Sequence, residues 1–449
     1  MTTFVEIAAV LGGIVLAAAV ALFLVLRART RKSYDEFKRT MALPLQGPLS
    51  ERSSSLSLPC NRIKPPMSEE RPTTALKPGE HHVMSFQSGD PSAARQPCSG
   101  PPLCRVIVWN VERGLELPRI IAELRRLDAD VLLLQELDAH CSRTGDVDVA
   151  TRIAQAIGMQ VCFAKEFEEV ASAAREALPD KRVGAGPGHS HGNAILIPSV
   201  RAGACFVDTW SFLHAAQPFD WTANGDAKYN EPRVGGRVCL GAHVRIPARP
   251  SAAISAAKQP AFHELVVYCL HLENNGGPSG RWAQFREACA DASDRRRAGL
   301  LPAAAPVVVG GDLNTLASGV AKLLPRHFDG LALRRPPLEH EAQLWARELL
   351  PAAARGCGLR LDDPFPKGRD GATAVHAHGV YRAKLDWLLV EAGPEAGPGL
   401  PGTPAEVVVP EVASHAVGGV GISDHMWLRA DLDLAPAPKG GLKGCLKKR

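Results

Sequence analysis

The chain has 449 residues and a formal net charge of +5; 45% of its residues are hydrophobic, 22% are charged and 11 are cysteine. That length suits one large catalytic domain, or two modest ones, with flanking segments, and the balance excludes a wholly disordered chain, a coiled coil and a collagen. The cysteines are odd in number and irregularly spaced with no CxxC pair, which argues against a disulfide framework or a zinc ribbon and favours a reducing compartment.

Residues 7–26 carry no charge and are long enough, at roughly 30 Å as a helix, to span a hydrocarbon core. Arg27, Arg29, Arg31 and Lys32 follow this run, whereas only Glu6 precedes it. A cleaved signal carries its positive charges before the apolar run, so the order predicts an uncleaved single-pass anchor with the remainder in the cytosol. From Thr40 to Gly100 the chain is rich in Pro and Ser and lacks periodicity, and it reads as a tether; with the basic juxtamembrane stretch it makes up residues 27–100.

The pattern changes at Cys104. "CRVIVWN" is strand-like, "ELPRIIAELRRLDA" has helical spacing, and "DVLLLQELD" reads as a buried strand. Further strands are expected at 192–197, 236–246, 265–270, 306–309 and 385–390, with helices at 147–157, 281–293 and 339–350. Strands alternating with helices define an α/β domain over residues 101–434, and periodicity alone favours a parallel sheet. Residues 435–449 form a basic tail.

Polar residues cluster at the ends of these apolar runs: Asn110; Gln135 and Glu136; His271 and Glu273; Asp312 and Asn314 after "VVVGG"; Asp386 opening "LDWLLV"; and Asp424 and His425 after "GIS". Buried strands that end in such groups gather them on one rim. A ring of carboxylate and amide oxygens suits a hard cation such as Mg²⁺ or Mn²⁺, and a cation with histidines nearby suits phosphate-ester hydrolysis. Each cluster alone is weak, because "GGDLNT" also reads as a capped turn and "SDH" as a helix cap.

As an ordered set, "WNVERG", "QELD", "HGNAIL", "CLHLE", "GGDLNT", "LDWLLV" and "SDH" resemble the endonuclease/exonuclease/phosphatase superfamily, typified by deoxyribonuclease I. The resemblance implies a four-layer α/β sandwich of two packed, mostly antiparallel sheets flanked by helices. It implies that Asn110, Glu136 and Asp424 lie at the metal. Asp312 would position and deprotonate the attacking water, and Asn314 would steady water and phosphate. Asp386 would orient His425. His271 would be the second histidine, paired with Glu166 or with its neighbours Glu168 or Glu169. Asn193 would reach the phosphate.

Other residues are read without that resemblance. Arg143 is expected either at the substrate phosphate or in a salt bridge to a local Asp. Trp109, Trp387 and Trp427 are expected in the core. His189 and His191 are expected in a solvated Gly-rich loop, with a second metal site as the alternative, and His376 and His378 are treated alike.

The superfamily hydrolyses nucleic acids, inositol phosphates and sphingomyelin, so three readings stand. They are a nucleic-acid phosphodiesterase, a lipid or inositol-phosphate headgroup phosphoesterase, and a silent tethered scaffold. His271 followed by Arg281 and Gln284 on the next helix looks like the sphingomyelinase and deadenylase branches. The charge is also uneven. Residues 27–39 carry a net +4 and the tail +5, which leaves the 101–434 domain at −4. The basic ends read as membrane-surface contacts, and extended duplex binding is not indicated.

Overall fold

The computed structural model describes residues 73–86, 103–248, 262–275, 277–315, 342, 345–365, 373–376, 381–392, 411–419 and 421–434. The expected anchor at 7–26, most of the tether, the basic tail and His378 lie outside them. Among the described residues, no helix is long and apolar enough to cross a membrane.

The strands are β1 (His81–Ser85), β2 (Cys104–Arg113), β3 (Val131–Ala139), β4 (Met159–Glu169), β5 (Ser190–Pro198), β6 (Cys205–Leu213), β7 (Arg233–Gly235) and β8 (Val238–Pro247). They continue with β9 (Phe262–His271), β10 (Val307–Asp312), β11 (Leu361–Asp362), β12 (Ala374–His376), β13 (Tyr381–Ala383), β14 (Asp386–Glu391), β15 (Glu411–Gly418) and β16 (Trp427–Asp433). The main helices are α1 (Leu117–Leu127), α2 (Val149–Ile157), α3 (Trp221–Tyr229), α4 (Gly277–Arg297) and α5 (Leu350–Cys357).

One sheet runs β1-β4-β5-β3-β2-β16-β15 with β7 beside β4, and a second runs β11-β14-β10-β9-β8-β6. The pairing is antiparallel except for β2 with β3 and β9 with β10. Those two pairs are joined by α1 and α4, because a parallel pair needs a crossover. The parallel sheet that periodicity favours is therefore corrected: fully buried strands look alike in sequence whichever way their neighbours run.

Alternation along the strands builds the layers. Val106 and Val108 face the second sheet, and Val267 and Cys269 face them from it. Ile107 and Trp109 point outward to meet Ile120 and Leu124 of α1 and Ile153 of α2. Val266, Tyr268 and Leu270 meet Trp282 and Phe285 of α4. Helices, sheet, sheet and helices thus form four layers, and each fully buried aliphatic or Phe side chain contributes roughly 1.5–3 kcal/mol. Trp109, Trp387 and Trp427 are buried in this core as expected.

One boundary is corrected. Residues 73–86, assigned by composition to the tether, belong to the domain. Strand β1 pairs with β4 from His81–Ala164 to Ser85–Gln160. Val83 packs on the inter-sheet core and Met84 on the helix side, so the short strand has two useful faces despite its polar flanks. The helix expected at 339–350 is described in part, as a π-helical turn at Trp345–Leu349 that runs into α5. Strands β4, β6, β15 and β16 and helix α3 complete the fold.

Candidate active site

The two parallel pairs deliver the site. Asp312, the last residue of β10, lies opposite His271 on β9 and Asp386 on β14, so one rung of the second sheet carries three of the predicted residues. Across the inter-sheet gap, β2 and β3 both break register: β2 between Asn110 and Arg113, and β3 between Leu134 and Leu137. Glu112, Arg113 and Glu136 adopt positive φ there, and Asn314 does so after β10. Such irregularities cost energy and re-aim side chains, and here they surround the same polar cluster.

Asp312 is at the centre. Its Oδ2 lies 3.6 Å from Nε2 of His271 and 3.8 Å from Nε2 of His425. It also accepts a hydrogen bond from Nδ2 of Asn110 at 3.2 Å, while Oδ1 accepts from the Asn314 backbone N–H at 2.8 Å. The side-chain amide of Asn314 donates to the Leu272 carbonyl. Nδ1 of His425 sits 2.8 Å from Asp386, whose backbone N–H donates to Thr373 Oγ1. Burial opposes a charge on His425, but the Asp386 and Asp312 carboxylates outweigh it and hold its pKa well above the usual imidazole range.

His271 is held on its other side. Its Nδ1 accepts a hydrogen bond from Arg237 at 2.8 Å and lies 3.6 Å from Glu166, which Arg237 also engages at 3.1 Å. Asn193 donates to Glu166 at 3.0 Å. Burial works against the Glu166 charge, yet the Arg237 guanidinium outweighs it and brings the pKa down to about 2. Glu166 is thus the acid beside His271, while Glu168 pairs with Lys165 and Glu169 faces a different arginine cluster.

The metal-proximal group is less simple. Oδ1 of Asn110 accepts the Glu112 backbone N–H at 3.0 Å, which turns its NH₂ towards Glu136 and Asp312. Asn110 therefore ties the two carboxylates together. Glu112 joins the same group: its Oε2 accepts the Asp424 backbone N–H at 3.0 Å. Burial and then the Asp424 charge raise its pKa, with a further push from Glu136. Burial also works against Glu136, but nearby positive charge, Arg113 included, and the hydrogen bond from Asn110 overcome it and keep that carboxyl below the usual range. The charges of Asp424 and Glu136 both act on Glu112, so three carboxylates gather around Asn110, and such oxygens suit a hard divalent cation. Ligand atoms of Glu136, His271 and Asp312 also lie within 4.8 Å of one another.

Arg143 is not at the substrate face. Its side chain is 1% exposed, chelated by Asp138 at 2.6 and 2.8 Å and close to Glu169 at 3.4 Å. Arg175 and Arg233 complete that buried network, and His191 joins it through Asp138 at 3.1 Å. Of the two readings of Arg143, the salt bridge is the one realised. His189 and His191 are buried and not in a solvated loop, because β5 begins earlier than its apolar residues suggest.

Arg237, Glu112 and Thr373 escaped the sequence reading. Arg237 immediately precedes β8, and an antiparallel strand brings its start to the same rim as its neighbour's end. Polar residues before strands were therefore as informative as those after them.

The endonuclease/exonuclease/phosphatase family profile matches residues 107–435, and the chain belongs to that family. Members are hydrolases of phosphoester bonds and generally use divalent metal ions. The chain is similar to an endonuclease/exonuclease/phosphatase from Beutenbergia cavernae, with 18% identity over 75% of this chain and 73% of that one and a TM-score of 0.41. It is similar to the human Nocturnin catalytic domain, with 13% identity, 80% and 100% coverage and a TM-score of 0.40. D. rerio TDP2 complexed with a single-strand DNA product gives 16%, 74% and 99%, and 0.36. No curated protein matches the chain.

Proposed function

We propose that the chain is a Mg²⁺- or Mn²⁺-dependent phosphodiesterase acting on nucleic acid. We further propose that residues 7–26 hold it at a membrane with the catalytic domain in the cytosol. The observation that carries the catalytic reading is the placement of Asp312 between two histidine Nε2 atoms, at 3.6 and 3.8 Å, each ring anchored through its Nδ1. This arrangement suits a phosphoryl group seated against both rings, with its attacking water beside Asp312. Asp312 accepts the proton as the water oxygen attacks phosphorus, and the bond to the leaving oxygen breaks. The His425 imidazolium donates its Nε2 proton to the leaving oxygen, and Nε2–H of His271 hydrogen-bonds a non-bridging oxygen and keeps its proton. Asn314 and Asn193 flank the seat. A cation held at Asn110, Glu136 and Asp424, with Glu112 beside them, would supply Lewis-acid stabilisation of phosphoryl charge.

The test is release from a labelled single-stranded oligonucleotide, compared with a sphingomyelin–phosphatidylcholine vesicle. The expected result is Mg²⁺-dependent cleavage of the oligonucleotide, abolished by a chelator and by Asp312→Asn. Cleavage of the vesicle lipid alone would replace nucleic acid with a lipid headgroup. Inactivity on both, without metal binding, would leave a scaffold. Protection of the C-terminus from protease in sealed microsomes would overturn the orientation.

A further inference from the structure

Between β6 and β8 the chain makes an excursion whose only helix among the described residues is α3, and it gathers an aromatic cluster. The Phe219 and Trp221 ring centroids are 4.9 Å apart, Trp221 and Tyr229 5.4 Å, and Phe219 and Tyr229 5.9 Å. Trp221 is buried at the base, whereas Phe219 and Tyr229 are half-buried and Lys228 is exposed. Nζ of Lys228 lies 5.2 Å from the Phe219 ring centre and 5.1 Å from that of Tyr229.

The cluster is coupled to the site. Nε1 of Trp221 donates to Glu273 at 2.8 Å, and the Tyr229 hydroxyl donates to Asn275. Glu273 lies two residues beyond His271 and 3.6 Å from Arg237, which itself holds Nδ1 of His271. The rings are therefore linked to His271 through Glu273 and Arg237. None of the three aromatic residues is needed for the chemistry.

We infer that Phe219 and Tyr229 form a stacking platform for a base next to the scissile phosphate, with Lys228 pairing to a neighbouring phosphate of a single strand. The inference rests on the phosphodiesterase reading and names its substrate class. Aromatic faces beside a cation accommodate bases of any sequence, the usual recipe for unpaired nucleic acid. Charge decides against the other occupant of an aromatic cluster, a quaternary ammonium headgroup. Lys228 already lies over two of the rings and the Arg233 guanidinium lies 4.6 Å from the centre of the third, so a second fixed cation would be repelled. Asp220 and Asp226 are on the same excursion but turned to other work: Asp220 caps α3, and Asp226 accepts from Ser172.

The experiment measures binding and cleavage by the full-length protein of two fluorescent strands of equal length, one carrying bases and one made of abasic residues. The wild type is expected to prefer the base-bearing strand by about tenfold. Phe219→Leu and Tyr229→Leu should each bring that ratio towards one, Tyr229→Phe should keep it, and Lys228→Ala should lower the salt dependence of binding. If the leucine variants weaken both strands equally, the rings are only structural and the platform is refuted. Binding by Asp312→Asn separates the two claims. A base preference in binding with no wild-type cleavage of either strand would end the nuclease reading and keep the platform. Equal binding of the two strands, or none, would end the platform whatever the enzyme hydrolyses.

Discussion

Arg237 donates to Nδ1 of His271 across 2.8 Å, and this bond decides where the His271 proton resides. An arginine cannot accept, so Nδ1 must present its lone pair and the ring proton sits on Nε2, which faces Asp312. Arg237→Met should therefore lose about 10²-fold in kcat through a free tautomer choice. It should also destabilise the fold by about 3–5 kcal/mol, because the buried Glu166 loses its counter-charge. Adding Glu166→Gln is expected to recover much of the stability and little of the activity. Thermal unfolding and turnover of both variants check this, and parallel recovery of stability and activity would show that Arg237 acts only as a structural counter-ion.

Asp386 plays the matching role for His425. The 2.8 Å contact fixes the ring and stabilises its charged form, and Thr373 holds the Asp386 backbone. Asp386→Asn keeps a polar partner of the same shape but removes the charge, so kcat should fall by roughly 10²–10⁴ with the domain still folded. Because Asp386 favours the imidazolium, its loss lowers the His425 pKa, and the residual activity should decline at lower pH than in the wild type. A full pH–rate profile tests the sign; an alkaline shift would remove Asp386 from the role of counter-ion.

Most of the site was legible because its residues terminate apolar runs. Asp312, Asp386, His425 and His271 share a rim, and the resemblance supplied the antiparallel order that periodicity could not. What escaped was set by geometry that one dimension does not record. Arg237 starts its strand, Glu112 reaches Asp424 through a left-handed bulge, and Thr373 acts through a short segment with little pattern of its own. Arg143 misled because a basic residue near a carboxylate strand looks the same whether it faces solvent or, as here, a buried Asp138. Composition similarly hid β1, whose five residues gain their order from the edge of β4.

The two glycines before Asp312 explain why "GGD" carries the central carboxylate. A Cβ on Gly310 would stand 2.4 Å from Cγ2 of Val108 and 2.7 Å from Cδ1 of Leu133, both in the facing sheet. On Gly311, at φ +152°, it would stand 1.8 Å from the Leu270 carbonyl oxygen. The Leu270 carbonyl cannot yield without moving the β9–β10 ladder that aligns Asp312 with His271. Gly311→Ala should cost at least about 3 kcal/mol and lower kcat in the molecules that still fold. Denaturant unfolding with single-turnover kinetics checks both effects, and a fully stable, fully active variant would contradict the close approach.

His81 makes the attachment of residues 73–86 dependent on pH. Its ring bridges β1 of the first sheet to β6 of the second: Nδ1 lies 2.8 Å from Ser211 and Nε2 3.1 Å from Thr209. Ser211 gives its own proton to the Gly79 carbonyl, so Nδ1 is the donor and the ring is neutral. Burial, then His82 and Arg295, push the His81 pKa down to about 4, against a weaker opposing pull from Glu80. Since the folded pKa lies below the unfolded one, the stabilisation is complete above about pH 6.5 and is lost as pH falls towards 4, with a ceiling of ~3 kcal/mol. Amide exchange across residues 81–85 should therefore speed up between pH 7.5 and pH 5 once corrected for intrinsic rates. His81→Gln, which keeps a donor and an acceptor but cannot charge, should flatten that dependence. The same acceleration in His81→Gln would assign it to another group.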